Sequence, residues 1–272
     1  HVNEQIELAT DMIEKVIAEV GIHLDNQSSE SSLDAHLHQS GSSGRQTQVP
    51  GSSDIDMHLE VSSQDWDKLE ELVKNLTKTF RLDSTKFMFN KSEGYCQMRL
   101  FECKLSDGSQ ISIDIGAFIR TNDRGGFVHE AIDAQMNAVV ATYPESERDK
   151  KRNLLRANIV LAKKILQEEK VYKRFVENQQ MGLGGSGVET WILSHGGSVL
   201  EAFRTFYDAA KTNTSIPRHF SEFKERYQIL SLGSNIRTNH FEDYILNNLS
   251  EVGYQRMFDA IEKSLREWHV IS

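Results

Sequence analysis

The chain has 272 residues, with 40 acidic against 31 basic side chains and a formal net charge of −9. That length holds one large domain or two smaller ones, and the acidic balance argues against a broad basic face for duplex nucleic acid while leaving room for a local basic groove. No stretch approaches the ~20 apolar residues of a membrane span, and no basic-then-apolar leader opens the sequence. The two cysteines, Cys96 and Cys103, suit a reduced chain without a disulfide, so a soluble, cytoplasmic protein with no membrane partner is expected.

Residues 2–20 repeat apolar side chains at helical spacing (Ile6, Leu8, Ala9, Met12, Ile13, Val16, Ile17, Val20), which predicts an amphipathic helix covering one face of a sheet. Residues 26–32 are a polar linker. Leu33, Ala35 and Leu37 then alternate with Asp34, His36 and His38, a first strand. His36 and His38 share a face and are read as solvent-facing rather than as a metal site. The strand feeds Gly41-Ser42, a turn able to offer backbone N–H groups and a hydroxyl to a phosphate. A polar loop follows, ending on Asp54-Ile55-Asp56.

Residues 54–61 form the second strand. Side chains two apart share a face, so Asp54 and Asp56 lie together while Ile55 turns into the core. Two adjacent carboxylates repel unless a cation sits between them, and oxygen ligands at this spacing suit Mg²⁺.

Residues 64–80 predict a helix with Trp66, Leu69, Leu72, Val73 and Leu76 on one face. Met88–Asn90 is weakly strand-like, and Tyr95–Leu105 is a strand with Cys96, Met98, Leu100 and Glu102 in alternation. Ser106-Asp107-Gly108-Ser109 has hairpin-turn chemistry. On the returning strand, Ile111, Ile113 and Ile115 point inward and Asp114 to the other face. That is a third acid on a strand able to lie beside the second.

From about Gly125 strand signals largely stop. Helices are expected over Phe127–Tyr143, Glu145–Glu168 and Val199–Lys211, with one or two more within 240–268. The glycine-rich turn Gly182–Gly187 lacks a preceding strand, so it is read as a close helix–helix approach and not a nucleotide loop. The expected fold is α+β. An N-terminal α/β domain over 1–124, a small mixed sheet with flanking helices, precedes an all-helical domain over 125–272, with a ligand cleft between them.

Gly41-Ser42-x-x-Arg45-x-Thr47-x-Val49-Pro50-Gly51-x-x-Asp54-Ile55-Asp56 resembles the motif of polymerase-β-type nucleotidyltransferases, most closely that of archaeal-type (class I) tRNA CCA-adding enzymes. Val160-Leu161-Ala162-Lys163, with Tyr172 nine residues after the lysine, resembles the family's helix carrying a triphosphate-binding Lys and Tyr. Gly182–Glu189, with Gly196-Gly197-Ser198 behind it, is similar to that class's central domain. The sequence departs at Gln46, where the family commonly has glycine, and at Ser52, where an Asp is frequent. Its length leaves no room for the C-terminal domains with which CCA-adding enzymes hold the tRNA body.

The resemblance implies a template-independent enzyme that transfers a nucleoside monophosphate from a triphosphate to a 3′ hydroxyl and releases pyrophosphate. Asp54, Asp56 and Asp114 would hold two Mg²⁺ ions, for which Mn²⁺ can substitute. Gly41, Ser42, Arg45, Lys163, Tyr172 and His129 would contact the nucleotide. ATP, and secondarily CTP, are the expected donors, and an RNA or tRNA 3′ end the acceptor. The alternative within the same resemblance is a synthase of cyclic or linear oligonucleotide second messengers, similar to the oligoadenylate synthases.

Overall fold

The computed structural model describes residues 2–24, 35–49, 55–82, 84, 87–90, 95–119, 128–172, 175–176, 179–180, 183–212 and 250–272. The chain divides into two compact units, His1–Arg124 and Gly125–Ser272.

In the first unit, α1 (Val2–Glu19) is followed by β1 (His36–Ser40), a short helix α2 (Gly41–Arg45) and β2 (Ile55–Val61). Then come α3 (Lys68–Thr79), the short strands β3 (Arg81–Leu82) and β4 (Met88–Asn90), and the long hairpin β5 (Tyr95–Lys104) and β6 (Gln110–Ile119). Among the described residues the strands form one mixed sheet of order β1-β2-β6-β5-β3, with β4 also on β5. Among the described strands only β2 and β6 pair in parallel; β1–β2 and β5–β6 are antiparallel. A parallel pair needs a crossover, and everything from Ser62 to Ser109 supplies it.

The period-2 patterns decide which face is dry. Ile55, Met57, Leu59 and Val61 of β2, Ile113, Ile115 and Ala117 of β6, and Cys96, Met98 and Leu100 of β5 are all buried, against Ile6, Ala9, Ile13 and Ile17 of α1 and Leu69, Leu72 and Leu76 of α3. Both helices cover the same face, so the intervening side chains of the strands stand on the other, polar face.

Three details differ from the sequence reading. The Gly-Ser turn and the start of its polar loop are a helical turn, Gly41–Arg45. The third helix begins at Lys68, and Trp66 is buried ahead of it. In β5 the alternation breaks between Leu100 and Cys103, where a bulge shifts the register and Glu102 sits at φ +54°. A bulge adds one unpaired residue to a strand. Glu102, expected to share the face of Cys96, Met98 and Leu100, is therefore exposed, and Cys103 takes the inward place.

The second unit is helical: α4 (Val128–Ala141), a 3₁₀ turn Glu145–Glu147, α5 (Arg148–Glu168), α6 (Gly185–Ser194), α7 (Val199–Thr212) and α8 (Glu251–Glu267), with a small hairpin of β7 (Phe175–Val176) and β8 (Gln179–Gln180). Its core centres on Trp191, stacked 5.5 Å from Phe203, which in turn stacks 5.7 Å from Trp268. A close approach that only glycine allows is seen at Gly197: a Cβ there would meet Leu155 Cδ1 at 2.9 Å. Ser250 caps α8, accepting from the Gly253 N–H at 3.0 Å. Among the described residues no helix is long and apolar enough to cross a membrane.

Candidate active site

The polar face of the first unit carries the candidate site. Asp56 and Asp114 are direct register partners on the parallel neighbours β2 and β6. Laterally paired strand residues point to the same face, and neighbouring strands run about 4.8 Å apart. The two carboxylates thus stand side by side, opposite Ile55 and Ile113, which are buried and themselves register partners. Asp54 lies outside the described residues.

The turn leaving β1 is built around Asp56. Gly41 has φ +59°, and a Cβ there would lie 2.8 Å from Asp56 Cγ and 3.0 Å from Asp56 Cβ. Only glycine satisfies both the backbone conformation and the close approach. Ser43, fully buried, closes the junction: its Oγ donates to the Asp56 carbonyl and accepts from the Asp56 N–H, each at 3.1 Å. The sequence motif singles out Ser42, which is half-buried, and leaves Ser43 as an unspecified position. Arg45 is buried as well, at 5% exposure. Gln46 adopts φ +58° and is exposed. A left-handed conformation at this position explains a preference for glycine there.

Arg99, another residue missed from sequence, meets Asp114 from the opposite side. It is Asp114's register partner on β5. Its guanidinium makes a two-pronged contact, Nε to Oδ1 at 2.6 Å and Nη2 to Oδ2 at 2.5 Å. One row across the sheet therefore reads Asp56, Asp114, Arg99. Farther along the same face His58 makes edge contacts with His38 at 5.6 Å and Phe118 at 5.2 Å. His38 is exposed and His36 half-buried.

The remaining predicted nucleotide contacts lie in the second unit. Lys163 is fully enclosed, its Nζ 2.5 Å from Glu189 Oε1, with neither side chain exposed. A phosphate reaching that ammonium has to take it from Glu189. Tyr172 packs in the helical core at 7% exposure. His129 belongs to the first turn of α4, and its side chain lies outside what the structure describes.

The donor set fits a hard divalent cation in part. Paired carboxylates on one sheet face are the ligands Mg²⁺ uses alongside substrate phosphates. Among the described residues no group of three or more His, Cys, Asp or Glu side chains is gathered as a complete cage, and Asp54 is the acid that would extend the pair.

Solved structures share this fold. It is similar to a mutant Cid1 poly(U) polymerase bound to MgATP, with TM-score 0.63 and 12% identity, covering 100% of this chain and 90% of that one. It is also similar to a cytoplasmic RNA terminal U-transferase, with TM-score 0.56 and 13% identity over 100% of this chain and 89% of the other. A third similar structure is terminal uridylyl transferase 4 from Trypanosoma brucei with bound GTP, with TM-score 0.52 and 11% identity over 97% and 91%. At the level of sequence, no family model and no curated protein matches.

Proposed function

We propose that this chain is a template-independent nucleotidyltransferase, transferring a nucleoside monophosphate from a triphosphate to the 3′ hydroxyl of an RNA. The observation that carries the proposal is the register of Asp56 with Asp114 on parallel neighbours, with Gly41 drawn tight against Asp56. The similar structures that share the fold are described as poly(U) polymerase and terminal uridylyl or U-transferases, which favours an RNA end over a free nucleotide as acceptor. A tRNA acceptor, and ATP or CTP as donors, rest on the CCA-type resemblance. So do the contacts of Ser42, Arg45, Lys163, Tyr172 and His129 with the nucleotide, whereas a cytoplasmic location rests on the two cysteines read as reduced.

Asp56 and Asp114, with Asp54, would hold the two Mg²⁺ ions, or Mn²⁺ in their place. Such ions, when bound, neutralise charge on the transferring phosphate and lower the pKa of a coordinated hydroxyl. The chain's own part is positioning. The Gly41-Ser42 segment would offer backbone N–H groups and a hydroxyl to the phosphates. Asp114 would accept the proton of the attacking 3′ hydroxyl. The 3′ oxygen then forms its bond to the α-phosphorus as the bond to pyrophosphate breaks in line.

The test is incubation of the full chain with labelled triphosphates and Mg²⁺ or Mn²⁺, with single-stranded RNA, with tRNA, or with neither. RNA extended at its 3′ end is the expected product, absent in Asp56→Asn and Asp114→Asn variants that melt normally. Free oligonucleotide formed without RNA would overturn the acceptor assignment in favour of a second-messenger synthase. No turnover with either metal, or retained turnover in Asp56→Asn, would overturn the enzyme itself.

A further inference from the structure

We propose that Arg99 is a latch on Asp114: its guanidinium fixes the carboxylate's orientation and competes with a divalent cation for the same oxygens, so that metal loading and release of Arg99 are one exchange. The proposal rests on the reading of Asp56 and Asp114 as the metal-holding acids.

Three observations carry it. First, the contact is two-pronged and uses both carboxylate oxygens, at 2.6 and 2.5 Å. A carboxylate has about four lone-pair sites, so the fork takes roughly half of them. Second, the two side chains are only 26% and 23% exposed, so the pair is screened less than a surface pair. Third, Arg99 lies in the same row as the acids but on the far side of Asp114 from Asp56. It is placed to relieve the repulsion between two adjacent carboxylates while no metal does so. Once a divalent cation performs that task, the guanidinium becomes a like charge at the same carboxylate.

The physical consequence is a threshold. Arg99 stabilises the metal-free site and weakens its hold on the first cation. An ordinary cross-strand ion pair would add stability and leave metal affinity untouched. An arginine that merely props the ligand in place would weaken metal binding when removed. The latch therefore differs from both in the sign of one measurement.

That measurement is a titration of the full chain with Mn²⁺ alone, without nucleotide, counting free Mn²⁺ by electron paramagnetic resonance. Removing one positive charge a few ångströms from a divalent cation changes binding by about tenfold even at the dielectric of water. Arg99→Gln is thus expected to bind Mn²⁺ about tenfold more tightly than the unaltered chain. Arg99→Lys, which keeps the charge but loses the fork, is expected to fall between them, and it carries the test if Arg99→Gln fails to fold. Unchanged or weaker Mn²⁺ binding in these variants, with binding still lost in Asp114→Asn, overturns the latch alone. Undiminished binding in Asp114→Asn shows that Asp114 is not a ligand and overturns the latch together with the reading beneath it.

Discussion

Gly41→Ala separates backbone strain from the contact that holds the acid pair in line. At φ +59° an L residue costs about 1–2 kcal/mol. The new methyl carbon would also lie 2.8 Å from Asp56 Cγ and 3.0 Å from Asp56 Cβ, against the ~3.5–4.0 Å at which carbons rest in contact. Turning Asp56 about χ1 relieves the Cγ overlap but carries its carboxylate out of row with Asp114, and the Cβ contact yields only to a backbone shift. A displacement of ~1 Å at a reacting centre is enough to lose on the order of 10²-fold in rate. Gly108→Ala is the matched control, because Gly108 sits at φ +82° with nothing within 4 Å of its would-be Cβ. Thermal melting and turnover of labelled triphosphate are measured on both variants. Both are expected to lose about 1–2 kcal/mol from strain, and Gly41→Ala alone about 100-fold in turnover. Equal turnover in the two would refute the claim that the Gly41 contact positions Asp56.

Gln46→Gly is expected to stabilise the fold by about 0.5–1 kcal/mol, because Gln46 is exposed at φ +58° and glycine carries no penalty there; a lower melting temperature would contradict this. Breaking the buried Lys163–Glu189 pair with Lys163→Met is expected to cost about 3–5 kcal/mol by leaving a charge uncompensated, and Lys163→Met/Glu189→Leu to recover most of it. Chemical denaturation of the single and double variants gives the sign. Burial pushes the Cys96 thiol up to about 12 and the Cys103 thiol up to about 11. The folded chain therefore keeps protons that the unfolded chain releases above ~8.5, and stability falls as pH rises from there. Melting temperatures between pH 8 and 10.5 are expected to decline less steeply in Cys96→Ala/Cys103→Ala, and both native thiols to resist alkylation at pH 8 until denaturant is added.

The apolar alternation of β2 and β6 put Asp56 and Asp114 on the face opposite the isoleucines, and the structure has them there because a buried face admits only one register. What the pattern could not supply was the lateral neighbour on β5. Counting back from the hairpin turn sets Asp114 opposite Leu100; the bulge near Glu102 slips the pairing by one residue and delivers Arg99 instead. Glu102 is not a glycine, so nothing in its identity announces a left-handed residue. Ser43 escaped for another reason. Its importance lies in hydrogen bonds to the backbone of Asp56, which exist only once a five-residue helix has folded the motif back on β2. Lys163 and Glu189 show the limit of spacing arguments in the helical unit. A lysine at the family's spacing is here satisfied within the core by a glutamate 26 positions away.

The parallel pairing at the centre of the sheet also sets a birth order. A chain leaves the ribosome N-terminus first, so β2 and the turn cradling its aspartate emerge long before Gln110 begins the strand that completes the row. Until then one flank of β2 offers unsatisfied peptide groups to any passing strand. The interval between the two halves of the acid pair is thus the stretch of synthesis in which this molecule is both incomplete and most exposed to misassembly.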